Sequence, residues 1–105
     1  MSERPGDFPS GDPDPAPIIR ALEICNKRGL HARASAKFVQ TVEKFDADVK
    51  VKRGGEVVGG TSIMGLMMLA AGPGTTITVE ATGKQAAEVV EALAALVSGR
   101  FTEEE

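Results

Sequence analysis

Asp48-Val49-Lys50-Val51-Lys52-Arg53 sets valine against charge with a strict period of two, and Gly54-Gly55 follows it at once. Such a segment can be satisfied only as a strand with one dry face and one wet face, and the glycine pair turns it into a hairpin. Glu56–Gly60 is the returning strand, in which Gly59 and Gly60 weaken the ladder or mark a bulge. A hairpin that leaves one face charged belongs to an antiparallel sheet covered on one side only.

The remaining segments supply the cover. Ile18–Cys25 alternates, with Leu22 and Ile24 on one face and Ala21 and Glu23 on the other, which predicts a first strand. From His31 to about Lys44, Ala34, Phe38, Val42 and Phe45 recur at helical spacing with Val39 beside them. Ile63–Leu69 is too apolar all round for an ordinary surface helix. It reads as a short helix capped by Thr61 or Ser62 with part of its apolar surface exposed, its methionines serving as core filler or as a docking surface. Gly65 inside it lowers helix propensity by about 1 kcal/mol and points to close packing or a partner contact. Gly72-Pro73-Gly74 turns the chain into a fourth strand, Thr75–Ala81, with Ile77 and Val79 inward. A last helix follows from about Lys84 to Ser98, buried through Ala86, Val89, Val90, Leu93 and Val97 and stopped by Gly99. The order is β-α-β-β-α-β-α, an α+β arrangement with helices on one face of an antiparallel sheet.

The chain of 105 residues holds one domain, expected over residues 18–99, with an aliphatic core: 42% of residues are hydrophobic and neither Trp nor Tyr occurs. Residues 1–17 carry five of the six prolines and a net charge of −3 (Arg4 against Glu3, Asp7, Asp12 and Asp14), and are expected to be disordered. Residues 100–105, ending in Glu103, Glu104 and Glu105, read as an acidic tail. The net charge of −3 therefore conceals a body of about +3, in which Lys27, Arg28, Arg33 and Lys37 bracket His31. So small a patch without interleaved aromatic residues excludes nucleic acid and favours an acidic protein surface or a phosphate. Cys25 is the lone thiol and reads as a small core residue. No metal-ligand spacing is present, and neither metal nor cofactor is expected. The chain opens without a signal pattern and contains no run of membrane-spanning length, so a cytoplasmic location with no membrane contact is expected.

Gly29-Leu30-His31-Ala32-Arg33 places the one histidine at a helix start, after the loop Asn26-Lys27-Arg28-Gly29. Unpaired backbone N–H groups and the positive end of the helix macrodipole make such a position an anion site, to which Arg33 and Lys27 or Arg28 add charge. A nucleophilic nitrogen beside an anion cradle is the arrangement required if the imidazole itself takes up a phosphoryl group. An ordinary helix cap would present the same residue at the same place.

Two separated motifs, Gly29-Leu30-His31-Ala32-Arg33 and Ser62-Ile63-Met64-Gly65, make the chain from Ile18 to Ser98 resemble the histidine-containing phosphocarrier, or HPr, family of the bacterial phosphotransferase system. The resemblance implies an open-faced β-sandwich, with four antiparallel strands and three helices on one side. It implies that His31 is the phosphoacceptor, modified on the ring nitrogen nearer the backbone, that Arg33 contacts the phosphate, and that Ser62 is a serine a dedicated kinase, HPr kinase/phosphorylase, modifies in some bacteria. The implied partners are enzyme I as donor and an EIIA-type protein as acceptor, so the chain would be a relay carrier rather than an enzyme with its own small substrate. Lys27, Arg28, Ile63, Leu66 and Met67 are the expected docking residues of a monomer. A regulatory module whose phosphorylation at His31 or Ser62 is read by a kinase or a transcription regulator is the other function compatible with the motifs. Ala34 departs from the proline common in the family, and the loop Lys27-Arg28-Gly29 with Ala34-Ser35 is closer to proteobacterial versions, including the nitrogen-related branch, than to the sugar-transport type.

Overall fold

The computed structural model describes residues 16–102. The expectations of disorder over residues 1–17 and of an acidic tail through Glu103–Glu105 fall largely outside them. Four strands, β1 (Ile18–Glu23), β2 (Asp48–Arg53), β3 (Glu56–Gly59) and β4 (Thr76–Thr82), alternate with three helices, α1 (Ala32–Glu43), α2 (Ile63–Met68) and α3 (Ala86–Ser98). The sheet is antiparallel throughout, in the order β1-β4-β2-β3. The helices cover one face, with α3 against β1 and β4, α2 against β3, and α1 against both other helices.

Period two decides which side of each strand is covered. Leu22, Val49, Val51, Ile77, Val79 and Ala81 are all buried. Their alternate neighbours form the open face, where Lys52 pairs with Glu80 at 3.0 Å across β2 and β4. On α1 the buried residues Ala34, Phe38, Val39 and Val42 form the expected stripe, and Phe45 packs at its end half-buried. All five inward positions expected on α3 are buried. That helix begins two residues later than its pattern suggests, because Gln85 is committed elsewhere: its N–H donates to Asp46 O at 2.9 Å and its side-chain oxygen accepts from Asp46 N–H at 2.7 Å.

Three expectations need correction. Cys25 is exposed rather than a core residue; it follows the last inward residue of the first strand, Ile24, so alternation turns it outward, and its Sγ–H donates to Val97 O at 3.3 Å. Gly99 ends α3 with an ordinary negative φ of −84°, and the left-handed reversal falls instead on Arg100, Phe101 and Thr102, with φ between 55° and 60°. Nor does the packed domain stop at residue 99. Phe101 is wholly buried in the core, and Lys37 of α1 donates to Phe101 O and to Thr102 Oγ1, each at 2.6 Å. A left-handed conformation costs an ordinary residue about 1–2 kcal/mol, so three in succession persist only because the ring and the lysine hold them.

Phe101→Ala should therefore lower the stability by about 3–5 kcal/mol, the usual range for emptying a buried Phe site. Urea unfolding of the full chain measures this; a loss under about 1 kcal/mol would show that the turn contributes no core packing.

Candidate functional site

The site is built where the chain enters α1. Gly29 adopts φ +65°, and a Cβ there would stand 2.3 Å from Ala71 O, so only glycine allows the loop to lie against the segment that leaves α2. Leu30 is buried, and its N–H donates to Ala71 O at 3.0 Å. His31 then takes an extended conformation, φ −75° and ψ −177°, as the N-cap of α1, and its carbonyl accepts from Ser35 N–H at 2.8 Å.

The ring is half-buried, and its Nδ1 accepts a hydrogen bond from the Arg33 backbone N–H at 3.2 Å. An accepting Nδ1 carries the lone pair, so the neutral ring holds its proton on Nε2. The nitrogen that carries the lone pair is thus the one that faces the helix N-terminus, where the macrodipole amounts to about half a positive charge. No acidic residue occupies the first turn of α1. Lys27 and Arg28 in the loop before His31 and Arg33 in the first turn of α1 are exposed. Lys37, expected among the basic residues bracketing His31, is instead committed to the turn at Phe101 and Thr102.

Ser62 caps α2, its exposed Oγ accepting from Gly65 N–H at 3.0 Å. Gly65 is closely packed: a Cβ there would meet Val58 Cβ at 3.0 Å and Ser62 Oγ at 2.9 Å. Ile63, Met64, Met67 and Met68 are exposed. Leu66 is not, and its place among the expected docking residues is withdrawn. Its accessibility is 0%, since a helix only six residues long must sink one side chain into the core to be held at all. An apolar run without a polar stripe gave no sign of which residue that was. The loop before His31 meets the end of α2, whereas Ser62 stands at its start, about 9 Å of helix away.

Sequence reasoning passed over two residues that the structure brings to this loop. Asn26 and Ser35 are both buried, and each donates to a carbonyl just ahead of His31: Asn26 Nδ2 to Gly29 O at 2.9 Å, and Ser35 Oγ to Leu30 O at 3.2 Å. Polar residues in a loop and in a first helical turn carry no signal of burial; the only hint was Ser35 within the inward stripe beside Ala34 and Phe38.

Comparison with known proteins agrees with this geometry. A family model described as PTS-HPr, the PTS HPr component phosphorylation site, matches residues 18–99. The phosphocarrier protein HPr of Neisseria meningitidis is 51% identical over 88 residues, covering 84% of this chain and 99% of that protein. The phosphocarrier protein NPr of Shewanella violacea is 40% identical over 86 residues, covering 82% of this chain and 94% of that one. Among solved structures, HPr from Thermoanaerobacter tengcongensis superposes with a TM-score of 0.79 at 39% identity, covering 84% of this chain and 99% of that chain. With its open-faced sheet, its histidine at the head of α1 and these relatives along nearly their whole length, the chain belongs to the HPr family of phosphocarrier proteins.

Proposed function

We propose that this protein carries a phosphoryl group on His31 Nδ1, accepted from enzyme I and passed to an EIIA-type protein. The observation that carries the reading is the Nδ1 lone pair held at the N-terminus of α1 by the Arg33 N–H. In the transfer the Nδ1 pair forms the bond to phosphorus while the bond from phosphorus to the donor breaks, its electron pair leaving with the donor. The Arg33 N–H, released from the lone pair, is then free to meet a phosphoryl oxygen, and the Arg33 guanidinium lies close enough in sequence to add a forked contact. Little else is asked of the protein, because phosphoryl transfer depends on positioning and charge stabilisation. An N–P bond at an exposed helix end can be reached from solvent by the next acceptor, as a carrier requires.

Family membership brings enzymes of the phosphotransferase system as the general class of partner. The exposed Ile63 and Met67, with Lys27 and Arg28 at the rim, suit a modest interface with an apolar centre and a charged edge, against an acidic partner, with the protein itself a monomer. Among the described residues no helix is long and apolar enough to cross a membrane.

A regulatory role for Ser62 is supported by a hydroxyl that is exposed and already part of a helix cap, where a phosphate would be tolerated. The agent would be a kinase of the HPr kinase/phosphorylase type. A phosphate there adds nearly two negative charges beside Ile63 and Met67 and repels an acidic partner without unfolding α2.

Incubation with enzyme I and phosphoenolpyruvate should give a single acid-labile, base-stable phosphorylation that His31→Ala abolishes; uptake by the alanine variant would remove His31 from the role. Ser62→Asp should fold normally and accept phosphate more slowly through weaker association, with the defect growing as salt is lowered. Equal affinities for enzyme I at two ionic strengths would leave Ser62 as a cap alone.

A further inference from the structure

Asn26 and Ser35 are the only polar residues that are buried among the described residues, and both are spent on the two carbonyls immediately ahead of His31. The peptide plane joining Gly29 to Leu30 is gripped at both ends. Its carbonyl accepts from Asn26 Nδ2 and from His31 N–H, each at 2.9 Å, and its N–H donates to Ala71 O at 3.0 Å. The plane joining Leu30 to His31 is gripped as well, its carbonyl accepting from Ser35 Oγ at 3.2 Å and its N–H donating to Gly29 O. Every polar group of the dipeptide that leads into His31 thus has a partner inside the protein, and two of those partners are side chains whose burial is otherwise unfavourable.

We infer that Asn26 and Ser35 are positioning residues for phosphoryl transfer, setting the backbone from which the His31 ring projects so that Nδ1, and not Nε2, faces the helix N-terminus. The inference rests on the reading of His31 as phosphoacceptor and adds the device that selects the nitrogen. Holding both planes fixes φ and ψ of Leu30 and so the position of the His31 Cα from which the side chain leaves. With α1 anchored through Ser35 N–H to His31 O, the ring and the Arg33 N–H become parts of one rigid frame. A hydrogen bond of 3.2 Å is already near the long end of the useful range, so a shift of a few tenths of an ångström releases Nδ1 and frees the ring to turn. Ser35 is well suited to the task. It sits in the first turn of α1, bonded by its N–H to His31 O and by its hydroxyl to Leu30 O, so one residue spans the cap from inside.

The test uses the full chain with Ser35→Ala and Asn26→Ala, reading the ¹⁵N resonances of the His31 ring and the rate of phosphoryl uptake from enzyme I charged by phosphoenolpyruvate. In the unaltered protein the ring resonances should report one dominant tautomer, protonated at Nε2. In each variant they should move towards an averaged tautomer pair, and uptake should slow about tenfold, less than the ~10²-fold that a full 1 Å misplacement can produce. Ser35→Ala places the best helix former at a helical position and carries the test by itself if Asn26→Ala does not fold. Ring resonances and uptake unchanged from the parent, whatever happens to the urea midpoint, would overturn the inference and reduce both residues to structural bonds. Absence of uptake by the parent protein itself would overturn the phosphocarrier reading instead, and the ring resonances would still decide whether Asn26 and Ser35 set the tautomer.

Discussion

Strand β4 is the member on which the others depend. It lies between β1 and β2 and is bonded to both along its length, and its inward residues Ile77, Val79 and Ala81 are completely shielded from water. Burying an aliphatic side chain of valine or isoleucine size is worth about 1.5–3 kcal/mol, so this one strand contributes a large share of the drive that brings α3 and the rest of the cover down on the sheet. It is also the last strand in the chain. The hairpin of β2 and β3 and the first strand have no direct ladder with each other, and only the arrival of β4 joins them.

The site inherits its precision from that strand through a short sequence of backbone bonds. The pairing of β1 with β4 runs past the end of the strands, where Ile24 N–H donates to Thr75 O and Gly74 N–H donates to Ile24 O, both at 2.8 Å. This fastens the turn that follows Ala71, and Ala71 in turn accepts from Leu30 N–H. The imidazole is therefore carried by a loop pinned on one side to the sheet and on the other to α1. Backbone groups thus hold the ring's place before any partner arrives.

Charge and apolar surface divide the labour around that point. The N-terminus of α1 with the exposed Lys27, Arg28 and Arg33 is a region of positive charge. The exposed Ile63, Met64, Met67 and Met68 of α2 offer adaptable apolar contact. The two regions are joined through the segment leaving α2, which holds Leu30. The left-handed turn at Arg100–Thr102 is tied to Lys37 of α1 and buries Phe101 in the core.

Much of this was legible in the order of residues, because alternation and helical spacing are local properties. The valines of Asp48–Arg53, the stripe from Ala34 to Val42, the glycine pair at 54 and 55, the cap position of His31, and a cap at Thr61 or Ser62, which the structure assigns to Ser62, each declare themselves within a dozen residues. Period and capping are dictated by backbone geometry before any distant contact exists. What depended on contacts between remote segments could not be read. The place of β4 at the centre, the sinking of Leu66 while its neighbours stayed exposed, and the capture of Phe101 and Lys37 by the core and its closing turn were decided by which surfaces met. So were the burial of Asn26 and Ser35 against the carbonyls of Gly29 and Leu30, since a polar side chain becomes a backbone clamp only when the packed structure removes the water that would otherwise satisfy it.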